Sequence, residues 1–149
     1  MMFENLLNKL AVNLHKYFKN TRIMAENLRS PNSFFFGFIA KRLMLVGNQK
    51  VIEDSVQRLN IKSGDKILEL GSGNGQALLE ILKKNPKQIK AIEISPIFRN
   101  HLKKKFGNKI ELFENDAKNL KDIINNSSID KILLINVIYF LNPLDLYLK

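Results

Sequence analysis

The chain has 149 residues, 45% of them hydrophobic and 26% charged, as in a soluble globular protein with a core of its own. It contains no cysteine and two histidines, which excludes disulfides, thiolate metal sites and thiol nucleophiles and leaves little from which to build a zinc site, so no metal is expected. The net charge of +10 fits either an anionic partner (nucleic acid, anionic lipid or an acidic substrate) or a lysine-rich composition throughout.

Residues 1–60 read as a helical N-terminal extension or lid. Leu6, Leu7, Leu10, Leu14, Tyr17 and Phe18 recur at helical spacing, with Lys9 and Lys16 on other faces. Pro31 stops this pattern. A second apolar run covers Phe34–Gly47, and residues 48–60 form an amphipathic helix with Val51, Ile52, Val56 and Leu59 on one side. The first 50 residues hold eight Lys/Arg against two Asp/Glu, and the remaining 99 hold sixteen against twelve. No stretch reaches the roughly 18 apolar residues of a membrane span, and the start lacks the basic end and long apolar core of a signal peptide. A cytoplasmic protein is expected.

From residue 61 the pattern becomes short apolar strands alternating with helices. Strands are predicted at Lys66–Leu70, 89–94, 109–114 and 131–138, and helices at about 75–84, at Pro96–Phe106 and at about 117–124. The fourth strand is nearly all apolar, as a strand covered on both faces should be. This alternation specifies an α/β fold with a parallel sheet and right-handed crossovers. A further helix is predicted from Asn142, with Pro143 in its first turn.

Chemistry concentrates in "ELGSGNG" (residues 69–75), where three glycines at alternate positions follow a strand that ends in an acid. Gly71, Gly73 and Gly75 allow a sharp turn and the close approach of a ligand, and the following helix is expected to aim free N–H groups at it. No Lys follows the glycines, so a phosphate-binding P-loop is excluded. Gln76 stands where a dinucleotide fingerprint needs its third glycine. Glu69 would repel a pyrophosphate and attract a cation. A ligand bearing an ammonium and a sulfonium satisfies both conditions, and S-adenosylmethionine is such a ligand. Glu93, 22 residues beyond Gly71, stands where an acid can accept from ribose hydroxyls. Asp116 follows the third strand and can accept from an adenine amine or cap the next helix.

These residues resemble class I S-adenosylmethionine-dependent methyltransferases. Residues 67–75 are similar to that family's first motif, 91–95 to its second, 115–117 to its adenine-binding segment and 135–143 to its fourth-strand motif. The resemblance implies a Rossmann-like domain over residues 61–149. It places the cofactor against Glu69, Gly71, Ser72, Gly73, Asn74, Gly75, Glu93, Ile94, Asp116, Ala117 and Asn136, with Val137 beside the methyl-transfer site. The family sheet has seven strands in the order 3-2-1-4-5-7-6, and four of them are visible here, in the expected order 3-2-1-4. The fourth strand is then an apolar edge. A fragment, a truncated gene product and one partner of an assembly that completes the sheet all fit.

The implied activity is methyl transfer, for which no residue stands out as a catalytic base. Tyr139 reads most simply as a core residue. The segment "NVIY" (residues 136–139) lacks the prolines of the Asn/Asp-Pro-Pro-Tyr pattern found in nucleic-acid amino methyltransferases, which favours a small or apolar, lipid- or quinone-like acceptor over nucleic acid. The aromatic run of residues 34–38 would form an apolar lid, with peripheral membrane contact through the basic first helix. A non-catalytic cofactor-binding module and an RNA methyltransferase are the alternatives.

Overall fold

A computed structural model describes residues 2–18, 20–32, 34–125 and 127–147. The chain divides into two compact units, Met1–Val51 and Ile52–Lys149.

The first unit holds three helices, α1 (Met2–Phe18), α2 (Arg22–Arg29) and α3 (Phe34–Gly47). The apolar pattern of α1 is wider than its buried stripe. Ala11 is buried, with Leu14 and Phe18 packed beside it against Met24, Ile39 and Ala40, whereas Leu6, Leu10 and Tyr17 are exposed. Thr21 separates α1 from α2, a break the apolar spacing alone does not reveal. Its Oγ donates to the Phe18 carbonyl at 2.8 Å and accepts from the Met24 N–H at 3.3 Å, which caps the new helix. In the aromatic run, Phe36 packs edge-on against Phe18, while Phe34 is fully exposed.

The second unit is built on a four-stranded parallel sheet of β1 (Lys66–Leu70), β2 (Gln88–Ile92), β3 (Glu111–Phe113) and β4 (Lys131–Leu134). The strand order is β3-β2-β1-β4, as expected. One face packs on α4 (Gln49–Leu59), α5 (Gln76–Leu82) and α6 (Pro96–Phe106). Ile67, Ile89, Ala91 and Leu133 meet Ile52, Val56, Leu78, Ile81, Leu102 and Phe106 there. On the other face Leu68, Leu70 and Ile92 pack on Phe113, Ala117, Leu120, Ile123 and Ile124. This two-sided burial is why β1 is buried at four consecutive positions, Ile67, Leu68, Glu69 and Leu70, three of them apolar.

β4 departs from expectation. It ends at Leu134, four residues early, and only Leu133 is buried, with Ile132 and Leu134 half-exposed. Residues of the 113–129 stretch cover the second face over β1 and β2 but leave it open over β4. Among the described residues β4 pairs with β1 alone. Beyond it the chain forms 3-10 turns at Ile138–Phe140 and Leu144–Leu146 rather than an α-helix. The segment 117–124 is likewise 3-10 in character, at Ala117–Asp122.

Gly75 shows how tightly α6 packs against the start of α5. It sits at φ +75°, and a Cβ there would lie 2.5 Å from Phe106 Cε2 and 2.6 Å from Leu102 Cδ2. Gly75→Ala is expected to destabilise the protein by about 2–4 kcal/mol, combining left-handed strain with overpacking. Gly64→Ala, where nothing lies within 4 Å, should change stability by no more than about 0.5 kcal/mol. Urea midpoints of the two variants check both values.

Candidate cofactor site

The strands are in level register: Leu70 pairs with Ile92 and Leu134, and Ile92 with Phe113. The segments leaving their carboxyl ends therefore line one edge of the sheet. The chain moves from β1 to β2 to β3 in one direction, then returns to place β4 on the other side of β1. Such a reversal opens a crevice between the loops of the two neighbouring strands, where open α/β sheets bind ligands. Here those loops are the glycine turn, 71–75, and the segment after β4.

Backbone N–H groups hold the turn from within. Gly71 and Ser72 both donate to the Ile92 carbonyl, at 2.8 and 3.2 Å, and the Gly75 N–H donates to Ser72 O at 2.8 Å. The Gly73 N–H donates to Glu93 Oε2 at 2.7 Å, and Asn74 Oδ1 accepts from the Gln76 N–H at 3.2 Å. Of the N–H groups expected to be free in the helix after the turn, that of Gln76 is taken by Asn74. At these five positions the N–H groups fix the turn's shape. At Gly71, φ is +73° and a Cβ would lie 2.5 Å from Val137 Cγ2, so the turn and the segment after β4 touch.

Two carboxylates are buried here. Glu93 is clamped: Oε1 accepts from the Ser95 N–H and Oε2 from the Gly73 N–H, each at 2.7 Å. Burial raises its pKa above the ordinary carboxylate value, while these N–H groups and the Arg99 charge pull it back. Each oxygen keeps a second lone pair, so the clamp leaves Glu93 able to accept from a diol. Glu69 is more isolated. Burial pushes its carboxyl up to about 7, and the Glu93 carboxylate adds to the rise. The Ser72 hydroxyl counters it from nearby, outside hydrogen-bond geometry: Glu69 Oε2 and Ser72 Oγ are buried without a hydrogen-bond partner. Orphaned acceptors of this kind are costly unless a ligand completes them, and an acid together with a hydroxyl suits a cationic donor.

The remaining candidates lie on the neighbouring loops. Ile94 exposes its side chain beside Glu93. Asp116 caps the following 3-10 turn, accepting from the Lys118 N–H at 3.1 Å, and lies 3.8 Å from Lys118 Nζ. Ala117 packs on the core behind it. Asn136 adopts φ +58°, a left-handed conformation uncommon for a residue with a side chain and frequent at functional sites. Tyr139 is 81% exposed, which corrects its reading as a core residue. Sequence spacing missed Arg99, which donates to the Glu93 and Ile94 carbonyls from α6. No local pattern marks it. Among the described residues no group of three or more His, Asp or Glu could hold a metal, and no helix is long and apolar enough to cross a membrane.

The chain is similar to known proteins in sequence and in fold. The family model of ribosomal RNA adenine dimethylases matches residues 44–132, more than half of the chain. Ribosomal RNA small subunit methyltransferase A of Persephonella marina is 37% identical over 86 residues, covering 52% of this chain and 32% of that protein. The protein of the same name from a Sulfurihydrogenibium species is 42% identical over 59 residues, 40% of this chain and 23% of that protein. The chain thus spans less than a third of the length of these curated relatives. A solved Methanococcus maripaludis structure, named as an S-adenosyl-L-methionine-dependent methyltransferase, matches 94% of this chain and 55% of its own with a TM-score of 0.57 at 16% identity. That likeness shows a shared fold, the Rossmann-like fold of class I S-adenosylmethionine-dependent methyltransferases. The chain belongs to the ribosomal RNA adenine dimethylase family.

Proposed function

We propose that this chain carries the cofactor site of an RNA adenine methyltransferase that uses S-adenosylmethionine. The observation that carries the proposal is the family match over residues 44–132. It turns the acceptor away from the apolar, lipid- or quinone-like molecule expected from residues 34–38 and toward ribosomal RNA, consistent with a net charge of +10. The segment 136–139, Asn-Val-Ile-Tyr, keeps the first and last residues of the Asn/Asp-Pro-Pro-Tyr pattern although it lacks the prolines.

When bound, the cofactor supplies an electrophilic methyl group on a sulfonium. The residues of this chain bind, charge and align. Glu69 offers its buried carboxylate to the ammonium end, and Ser72 adds a hydroxyl. Glu93 accepts from the ribose diol with the lone pairs its clamp leaves free. Ile94 and Ala117 flank the adenine, and Asp116 turns its remaining oxygen to the amine. Across the crevice, Asn136 can accept from the exocyclic N–H of a target adenine, and the exposed Tyr139 ring can stack on the extruded base. The lone pair of an adenine amine is delocalised into the ring, so the Asn136 acceptor would help to localise it on the nitrogen, and the proton lost on methylation would pass to solvent.

Two outcomes are expected. The first concerns pH. With a carboxyl pKa of about 7, Glu69 is negative only above that value, so affinity for the cationic cofactor should rise with pH through about 7 and then level off. The stability contribution has the opposite sign. A folded-state pKa raised above the unfolded value favours the fold at low pH and loses that benefit as pH climbs from about 4.5 to about 7. Glu69→Gln should therefore weaken S-adenosylmethionine binding about tenfold at pH 8 and flatten the pH profile, while raising the thermal midpoint of the ligand-free protein there. Calorimetric titration between pH 6 and 8 measures the first effect and thermal melts the second. A wild-type affinity independent of pH contradicts the role given to Glu69.

The second concerns the acceptor. Incubated with methyl-labelled cofactor and deproteinised small-subunit ribosomal RNA, the chain should label N6 of adenosine. Tyr139→Ala should cut that transfer about tenfold and leave cofactor affinity within about twofold, since a base–aromatic stack is worth about 1–3 kcal/mol. Label in a lipid extract and none in RNA overturns the acceptor. Cofactor binding without transfer to either favours a non-catalytic binding module.

A further inference from the structure

We infer that Arg99 is a positioning residue for the nucleoside end of the site. Its guanidinium sets the loop that carries Glu93 and Ile94. The inference rests on the cofactor reading given above. Arg99 lies in α6, six residues beyond Glu93 and outside every motif that the sequence pattern singled out. Its Nη1 donates to two consecutive carbonyls, Glu93 O at 3.1 Å and Ile94 O at 2.7 Å. Its Nη2 lies 3.3 Å from Glu114 Oε2, beyond the end of β3. One side chain thereby joins the exit of β2, the exit of β3 and the first turns of α6.

The geometry divides the polar groups of the loop into two sets. The carbonyls of residues 93 and 94 converge on Arg99, and the N–H of Ser95 converges on Glu93 Oε1 at 2.7 Å. With its carbonyls fixed, the loop cannot rotate its peptide planes without breaking both sets. The Glu93 carboxylate, which also holds the Gly73 N–H, and the exposed Ile94 side chain keep their places through this constraint. The positive charge also offsets part of the burial of Glu93. The side chain of Arg99 is 17% exposed and that of Glu114 76%. The carbonyl bonds therefore dominate, and the exposed ion pair adds little. Lysine would preserve the charge without the planar guanidinium that gives Nη1 to both carbonyls and Nη2 to Glu114.

Two ligands separate this role from a general structural one. S-Adenosylhomocysteine carries the amino-acid and nucleoside parts, whereas 5′-methylthioadenosine carries only the nucleoside. Arg99→Ala is expected to weaken both by the same factor, about tenfold, while the ligand-free protein still melts cooperatively at a lower midpoint. Unchanged affinity for both, or a loss for S-adenosylhomocysteine alone, overturns the inference and leaves the cofactor reading intact. If the wild-type chain binds neither ligand, the cofactor reading falls and the inference with it. Should Arg99→Ala show no cooperative melt, Arg99→Lys carries the test. About a threefold loss for both ligands is then expected, and wild-type affinity overturns the inference.

Discussion

The site depends on one carboxylate held by two loops. Glu93 accepts the N–H of Gly73 on one oxygen and that of Ser95 on the other, so the glycine turn after β1 and the crossing after β2 cannot move independently. The Ile92 carbonyl, which accepts from Gly71 and Ser72, adds a second tie between the same loops. Burying this carboxylate is unfavourable, and the N–H donors and Arg99 offset the penalty. Glu69 lacks that compensation, with a buried oxygen that has no partner. An acid left in this state costs stability, and a cationic ligand would recover it. Proteins break local rules most often where they bind or react, and the charge arrangement at the end of β1 fits that pattern.

Topology explains why these groups meet. Parallel strands in level register deliver all their carboxyl-terminal segments to one edge of the sheet. The reversal between β1 and β4 then opens a crevice flanked by the glycine turn and by residues 135–139. Gly71 and Val137 bring the two segments into contact, and only a residue without a Cβ fits at position 71. Under the proposed function, the cofactor lies on the β1–β2–β3 side and the target base on the β4 side. The left-handed Asn136 and the exposed Tyr139 stand on that second side. The proposed acceptor, a planar adenine, would give this division a chemical meaning.

Much of this was legible in the chain itself. The strand at Lys66–Leu70 and the helix at Pro96–Phe106 follow from apolar runs and a proline at a helix start, the parallel sheet follows from the alternation of strand and helix, and its order was expected from the resemblance to class I methyltransferases. The acids at positions 69 and 93 stand out because a carboxylate beside a glycine turn conflicts with phosphate binding. The acceptor was less legible. The missing prolines at 137–138 pointed away from nucleic acid, and the RNA acceptor of the proposed function rests on the family match instead. Leu6, Leu10 and Tyr17 looked like core positions and are exposed, because the apolar stripe of α1 is wider than the surface it packs against.

The amino-acid order alone determined the elements, the glycine turn and the charges at the strand ends, because spacing along a chain encodes backbone conformation and the face a side chain occupies. Tertiary structure decided what those groups do to one another. It put the turn's N–H groups to work holding the turn, ended β4 at Leu134, and brought Arg99 onto two carbonyls. Each of these depends on contact between segments that only the sheet topology brings together, and no local period records such a contact.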